Sequence, residues 1–373
     1  MAADVERHRG GRVVMIGPLP PPNGGVANFV RNMMERLPSE GFEVTVHRTG
    51  GFGASNAVVQ PIRDLTAALR FVLRSRGDRA DITHVHTSSY YSFLRNIPYV
   101  LWARHGLGSK VALHIHGGMF VEFYDRASPL VRSVVRMALG RSGTVIVTSP
   151  SWIGPITRIA GEGPEVISLP NGFDSKVFRP MDKGDAREEL GMPRGSKVLV
   201  TVGYLEPVKG HAHLMEAMVK VASHHEDILL YILGDGSLRR QLQDRIGQLG
   251  LEKVVRLVTE PFPSSGIARW MSAADVFVLP SLGEGNPTVM FECLGCGRPF
   301  VGTEVGGVPD VICSDRLGLL CPPGDAEALA AAIDEALERE WDAAEIAAHA
   351  LRYSWDRLAS DLASAYDRMI ERA

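Results

Sequence analysis

The sequence contains no apolar run approaching the ~20 residues that a membrane-spanning helix needs. Its opening, "MAADVERHRGGRVVMIG", lacks the long apolar core and small-residue cleavage site of a secretory leader. A cytoplasmic protein is therefore expected. Cysteine is scarce as well: Cys293, Cys296, Cys313 and Cys321 all lie in the last quarter of the chain and make no evenly spaced framework, which argues against a disulfide scaffold and for reduced thiols. Cys293 and Cys296 spell C-x-x-C inside a helical pattern, where packing of two small side chains is favoured over zinc or redox chemistry. Three nucleotide signatures are also missing. Gly17 is followed by six residues before Gly24-Gly25, which is not G-x-G-x-x-G, and there is neither a Walker motif nor a D-x-D pair to hold a divalent metal on a diphosphate. Any bound phosphate must then draw its positive potential from the protein itself. No dense basic run or nucleic-acid-binding motif is present, so nucleic acid is not expected as a partner.

What is present is ordinary globular composition at unusual length for one core: 373 residues, 45% hydrophobic and 22% charged, for which two domains are the expectation. The net charge of -3 conceals an asymmetry. Residues 1–180 carry 21 Lys and Arg against 13 Asp and Glu, whereas residues 181–373 carry 19 against 30. The first half is suited to an anionic partner, with an uneven solubilising surface as the alternative.

"RVVMIG" reads as a buried strand, "PLPPPNGG" as a loop, "VANFVRNMMERL" as a helix and "EVTVHR" as a returning strand, a βαβ opening. "DITHVHT", "KVALHIH", "TVIVTS" and "EVISLP" continue it with room for crossover helices, so an α/β fold with a parallel, doubly wound sheet follows. The rhythm stops in a Gly-, Pro- and charge-rich stretch near residue 180 and restarts with "KVLVTVG", "ILLYILG", "VVRLV" and "DVFVLP". This predicts a first Rossmann-like domain over 1–180 and a second over 181–350, facing each other across a cleft. The last segment, 351–373, is an amphipathic helix with Trp355, Leu358, Leu362 and Tyr366 on one side, and it needs an apolar surface to cover.

The segment with most chemical content is "DVFVLPSLGEGNPTVMFECLGCG". It reads strand, loop, helix, with Asn286 as N-cap, Pro287 in the first helical position and Gly297 as stop. Free amides at Thr288 and Val289 would then face an anion. Glu292 lies four residues after Thr288, and Gly295 three further on, so the three share roughly one face, with Gly295 permitting close approach. A carboxylate about 6 Å along the helix from a phosphate would repel it but suits a vicinal diol such as ribose. Glu284, in the loop, would lie on the other side, toward a transferable sugar. Solvated or partly exposed surface carboxylates are the alternative for both. Lys209, in "VGYLEPVKG", could balance a diphosphate or simply be solvated. In the first half, Gly24-Gly25 offer a second helix N-terminus, and His116 ends a strand beside two glycines. His114 shares its strand face, and one of the pair reads as structural. The pairs His84/His86 and His114/His116 could suggest a metal site, but neither motif has a carboxylate companion, and no metal or other cofactor is expected.

Together, "GPLPPPNGGV", "HIHGG", "LPNGFDSKVFRP", "VGYLEPVKG", "GDGSLRRQL" and "EGNPTVMFE" followed by "CGRPFVGTEVGGVPDVI" resemble the retaining glycosyltransferases of family 4, with the GT-B fold and the E-x7-E motif. The resemblance implies that Glu292 binds the nucleotide ribose and Glu284 the donor sugar hydroxyls. It implies that Lys209 and the amides near Thr288 and Val289 stabilise the departing diphosphate, with Gly203, Tyr204, Gly285, Asn286 and Pro287 also among the residues that bind the donor nucleotide. Gly24, Gly25 and His116 would approach the donor from the other domain, and the final helix would cross back to the first domain. Transfer would need no metal and no protein base. One departure stands out: where many relatives have an arginine after the strand glycine, this chain has Gly203-Tyr204. The "HIHGGMFVEFY" and proline-rich segments look like those of enzymes that build bacterial surface polysaccharides. They imply a nucleotide sugar such as a UDP- or GDP-sugar as donor, a saccharide or lipid-linked acceptor, and peripheral contact with the anionic inner face of the plasma membrane. A soluble acceptor, or a nucleotide-sugar 2-epimerase of the same fold, is the alternative.

Overall fold

Strand β1, Gly11–Gly17, is largely buried, as are its sheet partners β3 (Ile82–Thr87), β4 (Lys110–Ile115) and β5 (Thr144–Val147), while the edge strands β2 (Phe42–Arg48) and β6 (Glu165–Ser168) are partly exposed. Such buried central strands suit a parallel sheet covered on both sides by crossover helices. The computed structural model describes residues 10–21, 24–49, 59–75 and 80–372, and in it these six strands pair in the order β2-β1-β3-β4-β5-β6, all parallel. The sheet reverses its winding between β1 and β3, so the loops after those strands flank its switch point.

A second six-stranded sheet is built from β7 (Lys197–Val202), β8 (Ile228–Leu233), β9 (Val255–Val258), β10 (Val276–Leu279), β11 (Phe300–Thr303) and β12 (Gly318–Cys321). Its order is β12-β11-β10-β7-β8-β9, again wholly parallel, with the switch point between β7 and β10. Strands β11 and β12 were not expected from the sequence. Each has four residues, too few to display a period, and each contains a glycine chosen for close approach: a Cβ on Gly318 would lie 2.0 Å from the Phe300 carbonyl oxygen.

The chain divides into a unit of Met1–Asn171 with Trp355–Ala373 and a unit of Gly172–Ser354. The first boundary falls before the expected residue 180, because Phe173 and Phe178 are buried in the second unit's core beside Phe291 and Leu294. The returning segment Trp355–Glu371 is a helix that buries Trp355, Leu358, Leu362, Tyr366 and Met369 against Phe29, Phe42 and Ile146 of the first unit. At about 1.5–3 kcal/mol per large buried apolar side chain, that face contributes on the order of 10 kcal/mol, comparable to the whole net stability of a domain.

Candidate functional site

In the second unit the expected residues converge at the switch point, where open α/β sheets bind ligands. The loop leaving β7 runs through Gly203 and Tyr204 into a single turn, Pro207–Lys209, and the loop leaving β10 runs from Pro280 to Pro287. The two are fastened together: the Leu282 amide donates to the Val208 carbonyl at 2.7 Å. Gly210 adopts a φ of +66°, and a Cβ there would lie 1.9 Å from the Pro280 carbonyl oxygen, so only glycine permits this approach. The β10 loop is held from its other side, where the Gly307 amide donates to the Gly285 carbonyl at 2.8 Å and a Cβ on Gly306 would strike the Glu284 carbonyl at 2.0 Å.

This scaffold joins Lys209 to Glu284. The Lys209 Nζ donates to Glu284 Oε1 at 2.6 Å, and the Ser281 hydroxyl donates to the same oxygen at 2.7 Å. Both charged side chains are largely buried. The sequence had placed them in separate roles; the fold makes them one ion pair that still leaves Glu284 Oε2 to accept from a hydroxyl. Tyr204 points outward and is 59% exposed, so it does not replace an arginine within the pair. Glu206, unmarked by the sequence reading, accepts from the Ser237 amide at 3.1 Å and hydroxyl at 2.7 Å, which hold its carboxyl below the usual range. It ties the β7 loop to the "GDG" turn after β8, where a Cβ on Gly234 would fall 1.9 Å from the Gly203 carbonyl oxygen.

The helix after β10 spans Thr288–Gly295. Asn286 is not its N-cap, as the sequence had suggested; Pro287 occupies that position in an extended conformation, and buried Asn286 sits one residue earlier. Proline in the cap position leaves the first turn without a side-chain cap. The Met290 amide returns to the Pro287 carbonyl at 3.2 Å, while the Thr288 and Val289 amides have no helical acceptor. Gly297, with φ +70°, follows as the expected stop. Gly295 needs a second correction. What approaches it closely is the protein's own core: a Cβ there would lie 2.3 Å from the Phe173 ring.

Glu292 lies on this helix between the buried Phe291 and Cys293, half-buried, and accepts no hydrogen bond from a described residue. Burial pushes its carboxyl up to about 7. A carboxylate desolvated without a protein donor is set to accept from something else. Cys293 and Cys296 are packing residues: both are buried, and their thiols lie on the Arg298 and Ala268 carbonyls while burial raises their pKa values.

In the first unit, Gly24 is the N-cap of the helix Gly25–Arg36, with extended backbone and nothing within 4 Å of where a Cβ would stand. Gly25 has only the Asn171 amide nitrogen nearby, at 3.6 Å, so neither glycine is demanded by the fold's own packing. His116 follows β4, shares a hydrogen bond between its Nε2 and His86 Nδ1 at 3.0 Å, and stacks on fully buried His114 at 3.9 Å. His84 shares another with the Tyr366 hydroxyl at 2.6 Å. Burial pulls His84 and His116 down to about 3, so all four imidazoles are neutral near neutral pH. The two H-x-H pairs, on adjacent strands, bring one nitrogen each of His84, His86 and His114 within 4.8 Å of one another, a spacing that the separate motifs did not reveal.

Comparison with known proteins places both halves. The family described as "Glycosyl transferases group 1" matches residues 182–353, and "Glycosyltransferase Family 4" matches residues 23–177. The chain is 33% identical over 241 residues to the D-inositol 3-phosphate glycosyltransferase 2 of Catenulispora acidiphila, covering 61% of this chain and 56% of that protein. It is 24% identical over 296 residues to the N-acetyl-alpha-D-glucosaminyl L-malate synthase of Bacillus anthracis, covering 79% and 73%. The chain thus spans little more than half the length of the D-inositol 3-phosphate glycosyltransferase it matches. The Anabaena protein HepE, solved in complex with UDP, shares its fold with a TM-score of 0.76 at 18% identity, over 96% of this chain and all of that one. The chain thus joins a Glycosyltransferase Family 4 domain over residues 23–177 to a Glycosyl transferases group 1 domain over residues 182–353, in two parallel six-stranded sheets of the GT-B type.

Proposed function

We propose that the protein transfers a sugar from a nucleoside-diphosphate sugar to an acceptor hydroxyl in glycoconjugate or polysaccharide biosynthesis, retaining the anomeric configuration and using no metal. The observation that carries this reading is the half-buried Glu292, without a donor among the described residues, one helical turn beyond the N-terminus of a helix whose preceding loop holds the Lys209–Glu284 ion pair. A ribose diol donates two hydrogen bonds to Glu292; the diphosphate lies on the Thr288 and Val289 amides and Lys209; the transferable sugar donates a hydroxyl to Glu284 Oε2. Gly24, Gly25 and His116 are the first unit's own candidates for donor binding, His116 as a neutral hydrogen-bonding imidazole.

In the reaction, the bond between the anomeric carbon and the leaving phosphate oxygen breaks while the acceptor oxygen bonds to that carbon from the same face. The acceptor proton passes to the departing phosphate, so no protein base takes part. Lys209 and the helix N-terminus are fixed where negative charge grows on the diphosphate, and stabilisation of this type is often the largest contribution to catalysis. The donor is read as a UDP- or GDP-sugar, a choice supported by a fold neighbour that binds UDP. The acceptor is read as lipid-linked or saccharide. A soluble polyol acceptor is the second reading, favoured by the inositol phosphate in the name of a 33% identical relative.

The test is thermal stabilisation by UDP, GDP, ADP and dTDP, since a ligand bound only to the native state raises stability by mass action. It is followed by incubation with the matching nucleotide sugars and a lipid extract or inositol phosphate. A transferase releases free nucleoside diphosphate. No diphosphate release with any donor, together with an epimerised sugar, would make the chain an epimerase and end the transfer reading.

A further inference from the structure

The helix Val59–Arg74 has two apolar faces. One is used: Ala68 and Phe71 are buried in the first unit's core, and buried Asp64 on the same side accepts from Gln60 Nε2 at 3.1 Å and the Tyr91 hydroxyl at 2.7 Å. The Trp102 indole, donating to the Ser75 hydroxyl at 3.0 Å, secures the chain just beyond the helix. The opposite face is turned to solvent. Ile62, Leu65, Leu69 and Leu73 recur at spacings of three and four and are 60%, 59%, 53% and 64% exposed. At ~100° per residue they fall within about 80° of arc, a narrow continuous stripe. Four large aliphatic side chains held in water on one element are not scattered surface residues but an unpartnered surface.

What borders the stripe identifies its occupant. Arg63 and Arg70 lie along one flank, both exposed, and neither pairs with an acid of any described residue, while the only acid of the helix, Asp64, is turned inward. The half of the sequence containing this helix also carries 21 basic against 13 acidic residues. A second protein chain would ask for acids spaced to match two arginines; a sheet of anionic headgroups over an apolar interior matches a leucine stripe with a cationic border without specific spacing. We propose that this helix lies in the headgroup region of an anionic membrane, its leucines inserted and its arginines on lipid phosphates. No helix among the described residues is long and apolar enough to cross a membrane, so the contact is monotopic. The proposal deepens the lipid-linked acceptor reading, on which it rests, by naming the element that brings the chain to its substrate.

The experiment is co-sedimentation of the full chain with vesicles of equal phosphatidylglycerol and phosphatidylcholine, and with pure phosphatidylcholine. Wild type should sediment with the anionic vesicles at low salt and dissociate largely at about 0.5 M salt. The double variant Leu65→Gln/Leu69→Gln should lose about tenfold or more in partitioning, and Arg63→Gln/Arg70→Gln should lose the preference for anionic vesicles. Leu351→Gln, an exposed leucine of the second unit, should partition as wild type does. Far-UV circular dichroism and protease resistance of the first unit, unchanged in all variants, show that they fold. Equal partitioning of wild type and the Leu65/Leu69 variant, or a wild-type dimer that those substitutions dissociate, would overturn the proposal. Vesicle binding with turnover confined to a soluble acceptor would overturn the acceptor reading and leave the membrane surface standing.

Discussion

Glu292 shows how a single position can be half-read from sequence. Its spacing from Thr288 suggested a place near a phosphate-facing helix end, but only the structure shows that it has no donor among the described residues and that burial raises its carboxyl from 4.5 to about 7. At ~1.36 kcal/mol per unit this costs the folded protein on the order of 3 kcal/mol above neutrality. The sign follows from the raised value: the unfolded chain releases the proton near 4.5 and the folded one near 7, so stability is fully present below about 4.5 and declines as pH rises to about 7. Glu292→Gln should therefore flatten urea-denaturation stability across that window and unfold later than wild type at about pH 8. A ribose diol donates to the ionised form, so calorimetric titration should show wild-type nucleotide affinity rising through about pH 7 with proton release, while Glu292→Gln binds weakly and without that dependence. Glu284 behaves differently because Lys209 and Ser281 already satisfy one of its oxygens. Glu284→Gln should leave free-diphosphate binding within about threefold and lower turnover by roughly a hundredfold or more. A matched loss of nucleotide affinity would move Glu284 to the diphosphate.

At the scale of elements, the switch-point loops owe their shape to glycines that no motif reading of "GDG" or "VKG" could rank. Gly210→Ala must strain a positive φ and push Pro280 aside, an expected loss of roughly 3 kcal/mol or more with nucleotide binding lost in parallel, measured by urea midpoint and thermal shift. Gly24→Ala meets nothing within 4 Å and should keep wild-type stability, so any activity it loses reports on donor approach. The histidine strands were seen as two separate pairs; register placed His86 opposite His114 and joined them into one neutral cluster. Their depressed values mean that the stabilisation from keeping them neutral is present above about 6.5 and is lost as pH falls toward 3. The first unit should accordingly be the acid-labile one, which tryptophan and tyrosine signals from Trp355 and Tyr366 can follow.

For the whole molecule, the chain leaves its first unit at Asn171 and returns to it at Trp355. Deleting residues 355–373 removes the cover from Phe29 and Phe42 and the Tyr366 partner of His84, so the first unit should fail to fold while residues 172–354 keep protease resistance and nucleotide binding. The sequence by itself determined the alternation of buried strands and crossover helices, the existence of two such units, and the loop and helix that carry Glu284 and Glu292, because apolar period, loop chemistry and spacing are local properties. Only the tertiary structure decided that Lys209 and Glu284 form one pair, that Gly295 serves Phe173, that four-residue β11 and β12 complete the sheet, and that one face of the helix Val59–Arg74 stays uncovered. Each of those depends on which residues meet across long separations in the chain, and that is set by packing rather than by any pattern along it.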